Sequence, residues 1–188
     1  MSLFFVLSTF IFLSNDISAS KANDVQTEID NLITGAIKGK ETGLPLPRFV
    51  SLKGKRSNMR VGPSFDHRIS WVYMKGGVPV EIIQEFEFWR KIRDSDGQEG
   101  WVHKALLSSR RAAIVAPWER GKNAEHDKYF SIYNDPAPKA SRAAKLEAGV
   151  YSKIEECRKD WCKISGANYL GWVRVENIWG VYPGEVVN

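Results

Sequence analysis

The sequence predicts an all-β protein: two tandem small β-barrels behind an export signal and a short N-terminal segment. Three observations carry this. The order Trp, Lys, Ile, Gly, Trp, Val occurs twice at a nearly constant offset. Each copy is rich in β-branched and aromatic residues, in short runs broken by turn residues. At 188 residues, the chain has room for two small domains.

The first element is expected to be a signal peptide, residues 1–22, an uncleaved membrane anchor or a buried strand being the alternatives. Leu3 to Leu13 is an apolar run of 11 residues, too short for the roughly 20 that span a bilayer. Small residues follow, and cleavage after Ala19 or after Ala22 fits them. No Lys or Arg precedes the run. No later stretch is long and apolar enough to cross a membrane, so no stable span is expected after cleavage.

Residues 23–47 form an N-terminal extension. Val25, Ile29, Leu32, Ile33 and Ile37 recur at helical spacing, while Gly35 weakens a helix; a short amphipathic helix and disorder both stand. The prolines of Gly43-Leu44-Pro45-Leu46-Pro47-Arg48 give an extended entry to the first barrel.

The first barrel is expected over 48–115 and the second over 129–188, with a linker at 116–128. The first copy reads Trp89-Arg90-Lys91-Ile92, then Gly100-Trp101-Val102; the second reads Trp161-Cys162-Lys163-Ile164, then Gly171-Trp172-Val173. The offset is 72 residues at the first Trp and 71 at the second. Val78-Pro79-Val80-Glu81-Ile82-Ile83 leads into Trp89, and Val150-Tyr151-Ser152-Lys153-Ile154 leads towards Trp161. Asp94-Ser95-Asp96-Gly97 marks a turn in the first copy; Arg158-Lys159-Asp160 and Ser165-Gly166-Ala167-Asn168 mark turns in the second. The polar run Glu119 to Lys128 falls in the linker.

Cys157 and Cys162 are separated by four intervening residues, at the end of one strand and within the next. A disulfide across this hairpin fits an oxidising compartment and would stabilise by about 2 kcal/mol. Two free thiols are the alternative. Two cysteines with no nearby His do not make a metal site.

The motifs resemble those of bacterial SH3 domains. Ser57-Asn58-Met59-Arg60-Val61-Gly62-Pro63-Ser64 is similar to the opening motif of that family, and the strand into Trp89, Gly100-Trp101-Val102 and the Leu106-Leu107-Ser108 turn follow in its order. The second copy keeps Trp161 and Gly171-Trp172-Val173, but its opening has drifted to Ser131-Ile132-Tyr133-Asn134-Asp135-Pro136. The entry Gly43-Leu44-Pro45 and the ending Ile178-Trp179-Gly180-Val181-Tyr182-Pro183 resemble exported tandem SH3-like proteins of the alphaproteobacterial type. The resemblance implies SH3-like barrels. It also implies a non-catalytic binding protein of the cell envelope, in the periplasm or secreted, that recognises peptidoglycan or an envelope peptide. A protein–protein adaptor is the alternative.

No catalytic set is expected, and no cofactor or metal. His67, His103 and His126 are scattered, and no Gly-rich phosphate loop is present. Candidate ligand contacts are Trp71 and Tyr73, expected in the long loop beside an aromatic groove, with Arg60 supplying positive charge; the other reading has the two rings closing one end of the barrel. Trp89 and Trp101 recur in both copies, so core packing is their first reading. Lys53, Lys55, Arg56 and Arg60 at the start of the module, and Arg110 and Arg111 at its end, are expected to share a face. The formal charge of +5 suits anionic partners. Export makes nucleic acid the poorer partner; another protein remains open.

Overall fold

The computed structural model describes residues 37–121 and 129–188. Residues 1–22, expected as a signal peptide, residues 23–36 of the extension and residues 122–128 lie outside the described residues. Ile37, expected on a helix face, pairs with Leu46 in a two-stranded ribbon of Ile37–Lys38 and Pro45–Leu46.

The chain is all-β, in two seven-stranded sheets of identical topology. In chain order the first sheet comprises Arg48–Leu52, Ser57–Arg60, Ile69–Tyr73, Pro79–Phe86, Trp89–Arg93, Glu99–His103 and Leu107–Ser108. The second comprises Ala112–Val115, Tyr129–Tyr133, Arg142–Glu147, Tyr151–Arg158, Trp161–Ser165, Leu170–Arg174 and Ile178–Trp179. A 3-10 turn precedes the last strand of each, at Lys104–Leu106 and Val175–Asn177.

One boundary is corrected. Ala112–Val115, placed by sequence at the end of the first module, pairs with Tyr151–Lys153 and with Ile178–Trp179, so it is the first strand of the second module. The described part of the expected linker, residues 116–121, therefore follows the first strand of the second module rather than separating the two modules. Its counterpart in the first module is the short connection 53–56.

The repeat has a packing reason. Ile82 pairs with Ile92, Ile154 pairs with Ile164, and both hairpins carry a bulge just after that first Ile. Those four Ile, with Val102 and Val173, fill the two cores. The Gly of each Gly-Trp-Val stands where strands cross closely. A Cβ on Gly100 would lie 2.9 Å from the Arg60 carbonyl oxygen, and one on Gly171 would lie 2.9 Å from that of Tyr133. That contact leaves no room for a side chain.

Each core has its own buttress. In the first module, buried Asp94 accepts the Tyr73 hydroxyl at 2.9 Å and the amides of Asp96 and Gln98 at 3.0 and 2.9 Å, so the expected turn former also holds a core tyrosine. In the second, Cys157 and Cys162 are directly opposed across the hairpin and joined as a disulfide. Cys157 also bridges Val187, fastening the C-terminal segment.

The modules share an aromatic interface. Phe49 of the first meets the Trp179 ring at 4.9 Å and the Tyr182 ring at 4.7 Å. The Arg120 Nη2 donates to both oxygens of the Asp96 carboxylate, at 2.9 and 3.1 Å. The N-terminal ribbon is tied down by buried Glu85, which accepts the amides of Glu41 and Thr42 at 3.0 Å each, the Thr42 hydroxyl at 2.7 Å and the Arg48 guanidinium at 2.7 Å.

Candidate functional site

The first module carries an exposed aromatic face. In Glu99–His103, Trp101 and His103 are two apart and point to the same side, and cross-strand pairing sets His103 opposite Trp89. Phe86 pairs with Trp89 on the next hairpin and meets the Trp101 ring at 6.5 Å. Phe88 sits in the two-residue turn of that hairpin, beside Glu87 at φ 46°, and stacks on His103 at 6.2 Å. Phe65 arrives from the loop between Arg60 and Ile69 and meets Trp89 at 5.0 Å and His103 at 5.5 Å. Phe65, Phe86 and Phe88 remain 68, 47 and 56 % exposed.

That loop is built, not slack. The Arg60 guanidinium donates to the carbonyls of Phe65 and His67 at 3.0 and 2.5 Å, and stands 5.6 Å from the Phe65 ring centre. A Cβ on Gly62 would fall 2.4 Å from the His67 ring, so the imidazole packs on the bare glycine. Ser64 and Asp66 close the tip through each other's side chains. Lys104 places its Nζ 4.7 Å over the Phe88 ring. The result is a row of aromatic rings with a cation at either end.

The expected site residues separate. Arg60 belongs to the face, as the clamp on Phe65. Trp71 and Tyr73 lie in the strand Ile69–Tyr73, not in a loop. Trp71 is 46 % exposed, but its partner is Met59, on the opposite side of the strand from Arg60 and Trp101. Tyr73 is a correction: it is 8 % exposed, its ring lies in the first core, and its hydroxyl is bound to Asp94. Burial, reinforced by the Asp94 charge, pushes that hydroxyl's pKa far up. The basic residues divide too. Lys53, Arg110 and Arg111 line a cleft of about 500 Å³ between the modules, whose lining does not include Arg60.

Phe65, Phe86, Phe88 and His103 were not singled out as contacts by sequence. The signal that finds them is the mismatch between copies. Registers align Phe65 with Pro138, Phe86 with Arg158, Phe88 with Asp160, His103 with Arg174 and Arg60 with Tyr133. The second module keeps its Trp pair and covers it: Arg174 lies 4.9 Å over Trp161, while Arg158 and Lys163 lie 5.6 and 6.0 Å from Trp172. Among the described residues, only the first module leaves its aromatic row open.

Among the described residues no cluster of three His, Cys, Asp or Glu is placed to hold a metal ion, and no helix is long and apolar enough to cross a membrane.

The model of the bacterial SH3 domain family matches the chain twice, over residues 53–109 and 126–180. The chain belongs to the bacterial SH3 domain family. The second match starts after Ala112–Val115, so it omits that module's first strand. No curated protein matches the chain. Solved structures similar to this bacterial SH3 protein include NlpC2 of Trichomonas vaginalis, at 13 % identity and TM-score 0.30 over 71 % of this chain and 48 % of that one. NlpC1 of the same organism is 12 % identical at TM-score 0.31 over 74 % and 48 %. An NlpC/P60 family protein of Bacillus cereus is 9 % identical at TM-score 0.30 over 70 % and 55 %. The chain thus spans about half the length of these proteins.

Proposed function

We propose that this protein is an exported binding protein of the cell envelope, in the periplasm or secreted, that holds peptidoglycan or a wall-associated peptide on the aromatic face of its first module. The observation that carries the reading is the asymmetry between copies. Two modules share one topology, one Trp pair and one close-packed Gly, yet only one exposes Phe65, Phe86 and Phe88. Core packing does not require these rings, because the second barrel is built without them. Exposed aromatic surface of this kind marks a contact site. Rigid rings gain contact area at little entropic cost, and they suit the apolar faces of sugars and the flat amides of peptides. Arg60 and Lys104 at the ends of the row attract carboxylates. The Cys157–Cys162 disulfide fits an oxidising compartment.

Co-sedimentation of the chain lacking residues 1–22 with purified peptidoglycan sacculi tests the reading. Pelleting that persists at high salt supports it. Pelleting lost at high salt means charge attraction alone, and no pelleting contradicts it.

A further inference from the structure

The cleft between the modules is lined by Lys53, Lys75, Arg110, Arg111 and Lys153, with no Asp or Glu in its wall. At about 500 Å³ it falls within the size range of small-molecule sites. Both modules contribute: Lys53 and Lys75 come from loops of the first, Arg111 precedes the first strand of the second, and Lys153 lies on its long hairpin.

The charges are unevenly answered. The Arg111 guanidinium forks onto Glu185 and donates to the Gly180 carbonyl, which fixes it in place, while its Nε is buried without a hydrogen-bond partner. Lys153 is matched by Glu155 at 2.5 Å. Lys75 stands 4.0 Å over the Tyr151 ring, a contact that leaves its charge in place. Among the described residues, Lys53, Lys75 and Arg110 have no carboxylate partner within ion-pair distance. Three uncompensated cations on one concavity repel one another, and a ligand of opposite charge relieves that repulsion.

We infer that this cleft is a second ligand site, separate from the aromatic face, and that it takes a compact polyanion: a small molecule with two or more phosphate or carboxylate groups. Lysine ammoniums supply point charges from two sides, Arg110 supplies a planar fork, and the Tyr151 ring forms an apolar wall. Because its walls belong to different modules, an occupant bridges them and stiffens their junction.

Calorimetric titration of the full chain with pyrophosphate, and separately with citrate, at matched ionic strength tests the site. The expected result is saturable one-to-one binding of at least one probe and a rise in melting temperature with its concentration. Lys53→Gln/Arg110→Gln should weaken it at least tenfold, and Phe65→Ala/Phe88→Ala should leave it unchanged. Both lost cations are solvent-exposed, so folding is spared. Lys75→Gln, on the neighbouring loop of the first module, should weaken it as well. Preference for pyrophosphate assigns the site to phosphates, and preference for citrate to carboxylates. No saturable binding of either probe, or undiminished binding by the double variant, overturns the inference.

Discussion

The Tyr182 hydroxyl donates to Glu81 across 2.6 Å, joining the tail of the second module to a buried carboxylate on the long hairpin of the first. Burial raises the pKa of this hydroxyl, and the Glu81 charge raises it further, so it stays a donor throughout the physiological range. Tyr182→Phe keeps the ring contact with Phe49 but removes a donor from a buried acid. The expected cost is about 1–3 kcal/mol, read as a lower urea midpoint. An unchanged midpoint would show that Arg93, 3.4 Å from the same carboxylate, suffices.

Glu85 makes the N-terminal ribbon sensitive to acid. Burial alone would raise its carboxyl pKa; hydrogen bonds from Thr42, Arg48 and the Glu41 amide outweigh that and hold it below the ordinary glutamate value. A folded-state value below the unfolded one contributes stability above the unfolded pKa, about 4.3, which is lost as pH falls through the folded value. Urea midpoints should therefore drop below about pH 5. Glu85→Gln should be less stable at pH 7 by about 1–3 kcal/mol and show a flatter acid limb. Glu185, held down in the same way by Arg111 and the Tyr182 amide against the effect of burial, adds to the same limb.

Reduction of the disulfide, or Cys157→Ala/Cys162→Ala, should cost about 2 kcal/mol. The loss should fall on the second module and on its Val187 bridge. Hydrogen exchange reads this directly: amides of Tyr151–Ser165 should lose protection before those of Pro79–Arg93.

Gly180 has φ 126°, and a Cβ there would lie 2.2 Å from the Ala112 carbonyl oxygen. Gly180→Ala therefore forces apart the first and last strands of the second module. A loss above about 2 kcal/mol is expected, against a few tenths for the same change at Gly54, where φ is not positive and the nearest atom is 3.5 Å away.

The repeat was legible because close packing fixes it. Gly100 and Gly171 must be bare, and Ile92 and Ile164 must fill the barrels. The first strand of the second module was not legible as such. Ala112-Ala113-Ile114-Val115 carries no repeated motif, and a buried apolar run fits the end of one barrel as well as the start of another. Trp71 and Tyr73 differ for a similar reason. Both occupy inward registers of the strand Ile69–Tyr73, opposite Met59 and Ser57, but only Tyr73 reaches the closed part of the barrel. Alternation gives the side of a strand, not the depth at that point. The aromatic face stayed hidden because Phe65 comes from a loop and Phe88 from a turn, where periodicity carries no signal.

The central claim is that the exposed aromatic row of the first module does the binding, and sacculus co-sedimentation of paired variants at high salt tests it most directly. Phe65→Ala/Phe88→Ala in the first module is compared with Arg158→Ala/Asp160→Ala, whose positions match Phe86 and Phe88 in the second. The expected result is pelleting lost in the first variant and kept in the second, with both folded by circular dichroism. Equal pelleting of the two would contradict the claim.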